Sequence, residues 1–95
     1  MAAYVVVDIE VQDAARYEEY KRLAAPSVTV HGGRYIARGG ATESLEGGWV
    51  PRRLVILEFP SAAQARGWWD SEEYREARAI RQSCARTQMI VTEGM

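Results

Sequence analysis

Two stretches of this chain place apolar residues at every second position, and that period demands a sheet whose two faces differ. Between Tyr4 and Val11, the side chains of Val5, Val7, Ile9 and Val11 fall on one side, and Tyr4, Val6, Asp8 and Glu10 on the other. Between Arg52 and Phe59, the set Arg53, Val55, Leu57 and Phe59 opposes Leu54, Ile56 and Glu58. Each strand therefore has one face that suits a core. The other face, with Tyr4, Val6, Leu54 and Ile56, is still too apolar to rest comfortably in water.

What lies between the strands has a helical period. Asp13 is placed to cap a helix on which Tyr17, Tyr20, Leu23, Ala24 and Val28 share a stripe, and Pro26 is expected to end or kink it near Ala25. Gly32-Gly33 then allows a reversal into an edge strand, Arg34 to Arg38, followed by a glycine-rich hairpin loop over residues 39–51. After Pro60, Ser61 with Gln64 forms a capping box, and Asp70 with Glu73 repeats it, predicting a break near Ser71. The next helix puts Tyr74, Ala77, Ile80, Arg81 and Cys84 on one face, and Met89 to Glu93 supplies a last strand. The order is βαββαβ. Its usual solution is an α+β, ferredoxin-like protomer, a four-stranded antiparallel sheet with the helices on one face. Packing two open faces together gives a dimeric α/β barrel, so a homodimer is expected.

Length and charge narrow the partners. A chain of 95 residues makes one domain, residues 1–95, and buries only about 60–65% of its unfolded surface, so a partner surface helps stability. Its 12 Lys and Arg are interspersed with 13 Asp and Glu, giving a net charge of −1 and no stripe that tracks phosphates, which argues against nucleic acid. The single Cys84 has no partner for a disulfide, and a reducing, cytoplasmic location fits best. The N-terminal apolar run is broken by Asp8, so neither a signal nor a membrane segment is read there.

A set of short motifs spans nearly the whole chain: Tyr17-Glu18-Glu19-Tyr20, Gly32-Gly33-Arg34-Tyr35, Arg38-Gly39-Gly40, Leu45-Glu46-Gly47, Arg53-Leu54-Val55, Glu58-Phe59-Pro60, Trp68-Trp69 and Ser71-Glu72-Glu73-Tyr74. Together with Asp8, Ala65 and Arg81 they resemble the DUF1330 family of uncharacterised bacterial proteins. The resemblance implies a ferredoxin-like protomer that pairs into a dimeric barrel, with no defined activity. The wider superfamily holds cofactor-free monooxygenases, isomerases and haem enzymes, so the fold constrains chemistry little.

Candidate site residues follow from facing. Asp8 and Glu58 lie on the open sides of neighbouring strands, and two carboxylates looking into one cavity would raise each other's pKa and carry a proton. The alternative is a structural ion pair at a dimer seam. Arg38, beside the glycine loop, is placed to pair with them or hold an anionic substrate. Glu46 and Trp49 on the 39–51 loop border a small-molecule pocket over the open face, with Trp49 as a lid or simply packed on its own domain. Tyr74 and Arg81, two helical turns apart, either line that pocket or pack and pair with acidic neighbours. Of the adjacent Trp68 and Trp69, one belongs to the core. His31 reads as a capping or surface residue at its turn, Cys84 as a small buried hydrophobe. No metal set and no dinucleotide or phosphate-loop fingerprint is present, and no cofactor is assigned. The function read from the sequence is small-molecule binding with cofactor-free acid/base chemistry of monooxygenase or isomerase type, or a non-catalytic dimeric interaction module.

Overall fold

In the computed structural model, which describes residues 1–95, the first alternating stretch is β1 (Ala3–Val11). Helix α1 (Ala14–Val30) follows, then β2 (Arg34–Arg38), β3 (Leu54–Phe59), α2 (Ala62–Trp69), α3 (Glu72–Cys84) and β4 (Ala85–Glu93). The strands form one antiparallel sheet of order β2-β3-β1-β4, so β1 and β3 are central. All three helices carry buried residues and cover one side, and the molecule is a slab 36 × 35 × 16 Å. No helix is long and apolar enough to cross a membrane.

The pairing register turns the sequence period into two surfaces. Val5 pairs with Leu57 and Val7 with Val55, and these side chains, with Ile9 and Phe59, are buried beneath the helices. On the open side Val6 pairs with both Ile56 and Ile90, and Ala37 with Ile56, which makes an apolar row across all four strands. Ile90 is 63% exposed. One step away, Tyr4, Glu58, Arg34 and Thr92 form a polar row.

Local chemistry sets the element ends. The Asp13 carboxylate accepts the Arg16 N–H and Ser61 accepts that of Gln64, as the capping patterns require. The break between α2 and α3 is present, but Ser71, not Asp70, caps α3 by accepting the Tyr74 N–H; Asp70 instead closes α2. Pro26 does not end α1. Its ring sits on the exposed side and the helix runs on to Val30, losing one backbone bond, while the Ser27 hydroxyl donates to the Ala24 carbonyl at 2.6 Å. β4 starts at Ala85 rather than Met89, directly from the end of α3, because the Cys84 carbonyl accepts both the Gln12 and Asp13 N–H groups and fixes that junction.

Gly33 follows α1 where backbone meets core. A Cβ there would lie 2.6 Å from the Phe59 ring and 2.9 Å from Val28, whereas one at Gly40 would touch nothing. Gly33→Ala is therefore expected to lower unfolding free energy by about 1–3 kcal/mol through overpacking. Gly40→Ala changes it by less than about 1 kcal/mol. Urea unfolding of both variants checks the contrast.

Candidate functional site

The polar groups that the fold buries converge on the helix-covered side. Three residues apart on α1, Tyr17 and Tyr20 face the sheet, and Tyr74 and Arg81 do the same from α3, two turns apart. The Tyr20 and Tyr74 hydroxyls are hydrogen-bonded at 2.9 Å, and Arg81 Nε donates to Tyr74 Oη at 3.3 Å. Trp68 lies against the Tyr74 ring with centroids 4.1 Å apart, and its Nε1 donates to Ser27 Oγ at 3.0 Å. Helices α1, α2 and α3 are thus tied together by one buried aromatic and polar cluster.

Arg81 is the unusual member. It is 4% exposed, yet none of the fold's ion pairs includes it. Beyond Nε to Tyr74 its guanidinium has no protein acceptor, and its terminal nitrogens keep contact with water. The neighbouring wall holds a buried hydroxyl, Thr87 Oγ1, which has no partner. Both line a groove of about 570 Å³ between α2, α3 and β4, bordered by Trp68, Trp69 and Met89. That volume is in the range of small-molecule sites.

On the other flank of Trp68 and Met89 lies a smaller hollow bordered by Tyr17, Tyr35, Arg38 and Arg53. Arg53 Nε donates to Tyr17 Oη at 3.2 Å, and the Arg38 guanidinium stacks 4.2 Å from the Tyr35 ring centroid. Its free volume of about 20 Å³ suffices for roughly one water. Burial pushes the phenol pKa values of Tyr17, Tyr20 and Tyr35 up, so at neutral pH these hydroxyls keep their protons and can donate.

The open face is arranged differently from the expected carboxylate pair. Asp8 pairs with Leu54 whereas Glu58 pairs with Tyr4, so the two acids sit four residues apart along β1, about 13 Å at the strand rise. They share a face but not a cavity. Asp8 accepts the Arg52 N–H at 3.1 Å and so holds the entry to β3. Glu58 accepts from Arg34 Nε at 2.6 Å and from Tyr4 Oη at 3.2 Å. The hydrogen bond from Arg34, helped by the guanidinium charge and Tyr4, holds the Glu58 carboxyl below its usual range, opposite to the shift a proton carrier near neutrality needs.

Arg38 does not join them. A bulge between Tyr35 and Ala37 reverses the facing, so Arg38 pairs in register with Val55 and turns to the helix-covered side. Glu46 and Trp49 lie on the exposed 39–51 loop, Trp49 with 65% of its surface free, and no residue of that loop borders the three principal hollows. Tyr74 and Arg81 are brought together, in the core cluster. Trp68 is the buried tryptophan and Trp69 is 41% exposed. His31 caps α1 and its Nε2 meets Glu73 Oε1 at 2.8 Å; burial raises the Cys84 thiol pKa, which leaves it protonated. The sequence reading missed Tyr20 and Thr87 as site residues. Tyr20 carries the same signal as any core stripe, and the start of β4 has no alternation that would aim Thr87 inward.

This sheet order with helices on one side defines a ferredoxin-like protein. Among solved structures, the chain is similar to a protein of unknown function, RPA0582, from Rhodopseudomonas palustris, with a TM-score of 0.80 and 20% identity over 99% of this chain and 82% of that one. It is similar too to a dimeric ferredoxin-like protein of unknown function from Jannaschia sp. CCS1, at 0.73 and 14%, covering 99% and 100% of the two chains. SnoaB, a cofactor-independent oxygenase from Streptomyces nogalater, follows the same fold at 0.68 and 8%, covering 99% and 93%. No curated protein sequence matches. The family model described as "Domain of unknown function (DUF1330)" matches residues 2–95, and the chain belongs to that family.

The Glu58 geometry sets a pH dependence. A carboxyl whose pKa is lowered on folding contributes stability that is whole above its ordinary value of 4.5 and is lost as pH falls through the folded value. Glu58→Gln is expected to shallow the acid limb of a stability profile measured by urea unfolding between about pH 3 and 7. An unchanged acid limb would contradict the Arg34–Glu58 assignment.

Proposed function

We propose that this protein is a homodimer that binds a small organic molecule on the helix-covered side of each sheet, at the groove bordered by Arg81. The observation that carries the reading is the buried guanidinium of Arg81, which has no carboxylate partner. Its terminal nitrogens make no protein hydrogen bond and reach water only at the groove, so they are donors held ready there by an otherwise buried side chain. A bound acceptor would replace the water they meet. Around it the hydrogen-bonded hydroxyls of Tyr20 and Tyr74 supply dipoles, and burial keeps the Tyr20 phenol protonated.

Dimerisation rests on the open sheet face. The row Ala37, Ile56, Val6 and Ile90 leaves apolar surface in water, and similar structures from Jannaschia sp. CCS1 and Thermobifida fusca are described as dimeric. In this reading Asp8 and Glu58 hold strand register at the seam, and Glu46 and Trp49 on the projecting loop reach the partner. Arg38 serves the smaller hollow. The positioned donors also suit a second reading, cofactor-free oxygenase or isomerase chemistry, because a cation and neutral hydroxyls stabilise an enolate-type oxyanion. That reading is favoured by the fold shared with the cofactor-independent oxygenase SnoaB.

Two measurements test the proposal. In sedimentation equilibrium the protein should run at twice its 10.7 kDa chain mass, and Ile90→Glu, at an exposed position, should shift it toward one chain mass. In amide NMR spectra recorded against a set of small acids, amines and neutral aromatics, perturbations should gather on residues 65–70 and 81–91. Hits confined to the open face, or none at all, would overturn the site.

A further inference from the structure

The groove beside Arg81 exists because α2 is short. With 8 residues against 17 in α1, it leaves the β4 side of the sheet half roofed, and Val91 is 39% exposed although it pairs with the buried Val5. The walls are apolar and partly aromatic, with Val5, Met89, Trp68 and Trp69 among them. The polar groups are few, and apart from the exposed Gln82 amide and one acid they are donors. Arg81 Nη1 and Nη2 have no protein acceptor, and the Thr87 hydroxyl is buried without a partner. The rim adds Arg66, and its only acid, Asp70, is 81% exposed and lies 3.8 Å from Arg78 Nη1.

We infer that this groove receives the carboxylate of a flat, apolar monocarboxylic acid, with Arg81 and Thr87 on the carboxylate and the tryptophans on the hydrocarbon body. The inference rests on the reading of the groove as the binding site and names its ligand class. A guanidinium presents paired N–H groups that match the two oxygens of a carboxylate, and Thr87 completes the acceptor's shell with an O–H. One buried cation balances one negative charge. A phosphate dianion would find a single buried cation to meet two charges, and an amine would be repelled. The rest of the groove rewards burial of apolar area, and the exposed edge of Trp69 gives a planar body a ring to stack on.

The test uses the full chain and a matched pair of probes, naphthalene-2-carboxylate and the neutral naphthalene-2-carboxamide, titrated by amide and indole NMR. The carboxylate should bind at least about tenfold more tightly than the amide, because its charge and second oxygen both meet the guanidinium, with shifts on the Trp68 and Trp69 indoles and on residues 81–91. Arg81→Gln should weaken the carboxylate by roughly 10- to 100-fold and the amide by clearly less. Thr87→Val, which removes an unpaired hydroxyl and so keeps the fold, should weaken it by about threefold to tenfold. Equal binding of both probes at these residues would overturn the carboxylate assignment while leaving the site in place. Carboxylate affinity unmoved by Thr87→Val would remove Thr87 from it. No perturbation by either probe at millimolar concentration would overturn both the ligand class and the groove as a site.

Discussion

The backbone ladder that holds β1 between β3 and β4 decides which side chains can ever meet. With Val6 opposite Ile56 on one side and Ile90 on the other, odd-numbered residues of β1 go beneath the helices and even-numbered ones go to the open face. A slip by one residue would exchange the two sets completely. It would put Asp8 and Glu10 under α1 and α3, at a desolvation cost no small domain can bear. Burial of Val5, Val7 and Ile9 against Val55, Leu57 and Phe59 is thus what pins the register, and the register then fixes the apolar row that faces out.

Against that apolar core the buried polar cluster is the exception that needs a reason. Tyr20 and Tyr74 satisfy one another, and Trp68 is satisfied by Ser27, so these groups stitch the helices without loss. Arg81 and Thr87 are different, because their unused hydrogen-bonding capacity borders the same groove. Sites built for a ligand commonly carry this signature. Strain or unpaired polarity that would be selected out of a purely structural core persists where a bound group relieves it.

Much of this was legible from spacing, and the failures have identifiable causes. The α3 stripe of Tyr74, Ala77, Ile80, Arg81 and Cys84 is the set the structure buries, because a 3.6-residue period survives any local detail. Pro26 misleads, since a proline on an exposed helical face forfeits one hydrogen bond without ending the helix. The expected acid pair fails on direction: alternation tells which face Asp8 and Glu58 occupy, but antiparallel pairing sends them to opposite ends of it. Arg38 fails on one extra residue. The bulge at Ile36 reverses its facing, and a five-residue edge strand has too weak a period to announce it. For Arg81, the two sequence readings, a pocket residue or the partner of an acid, differ only in whether a carboxylate lies nearby. That depends on three-dimensional neighbours, and none is there.

The central claim is that the Arg81 guanidinium serves a bound acceptor and not the fold. Comparing urea unfolding of the unliganded wild type with Arg81→Met tests it most directly, since methionine fills similar space without charge while Tyr20 and Tyr74 still satisfy each other. The account predicts a variant as stable as the wild type or more stable, by up to about 1–4 kcal/mol. A loss of more than about 2 kcal/mol would mean that the guanidinium is a structural member of the core, and would contradict the account.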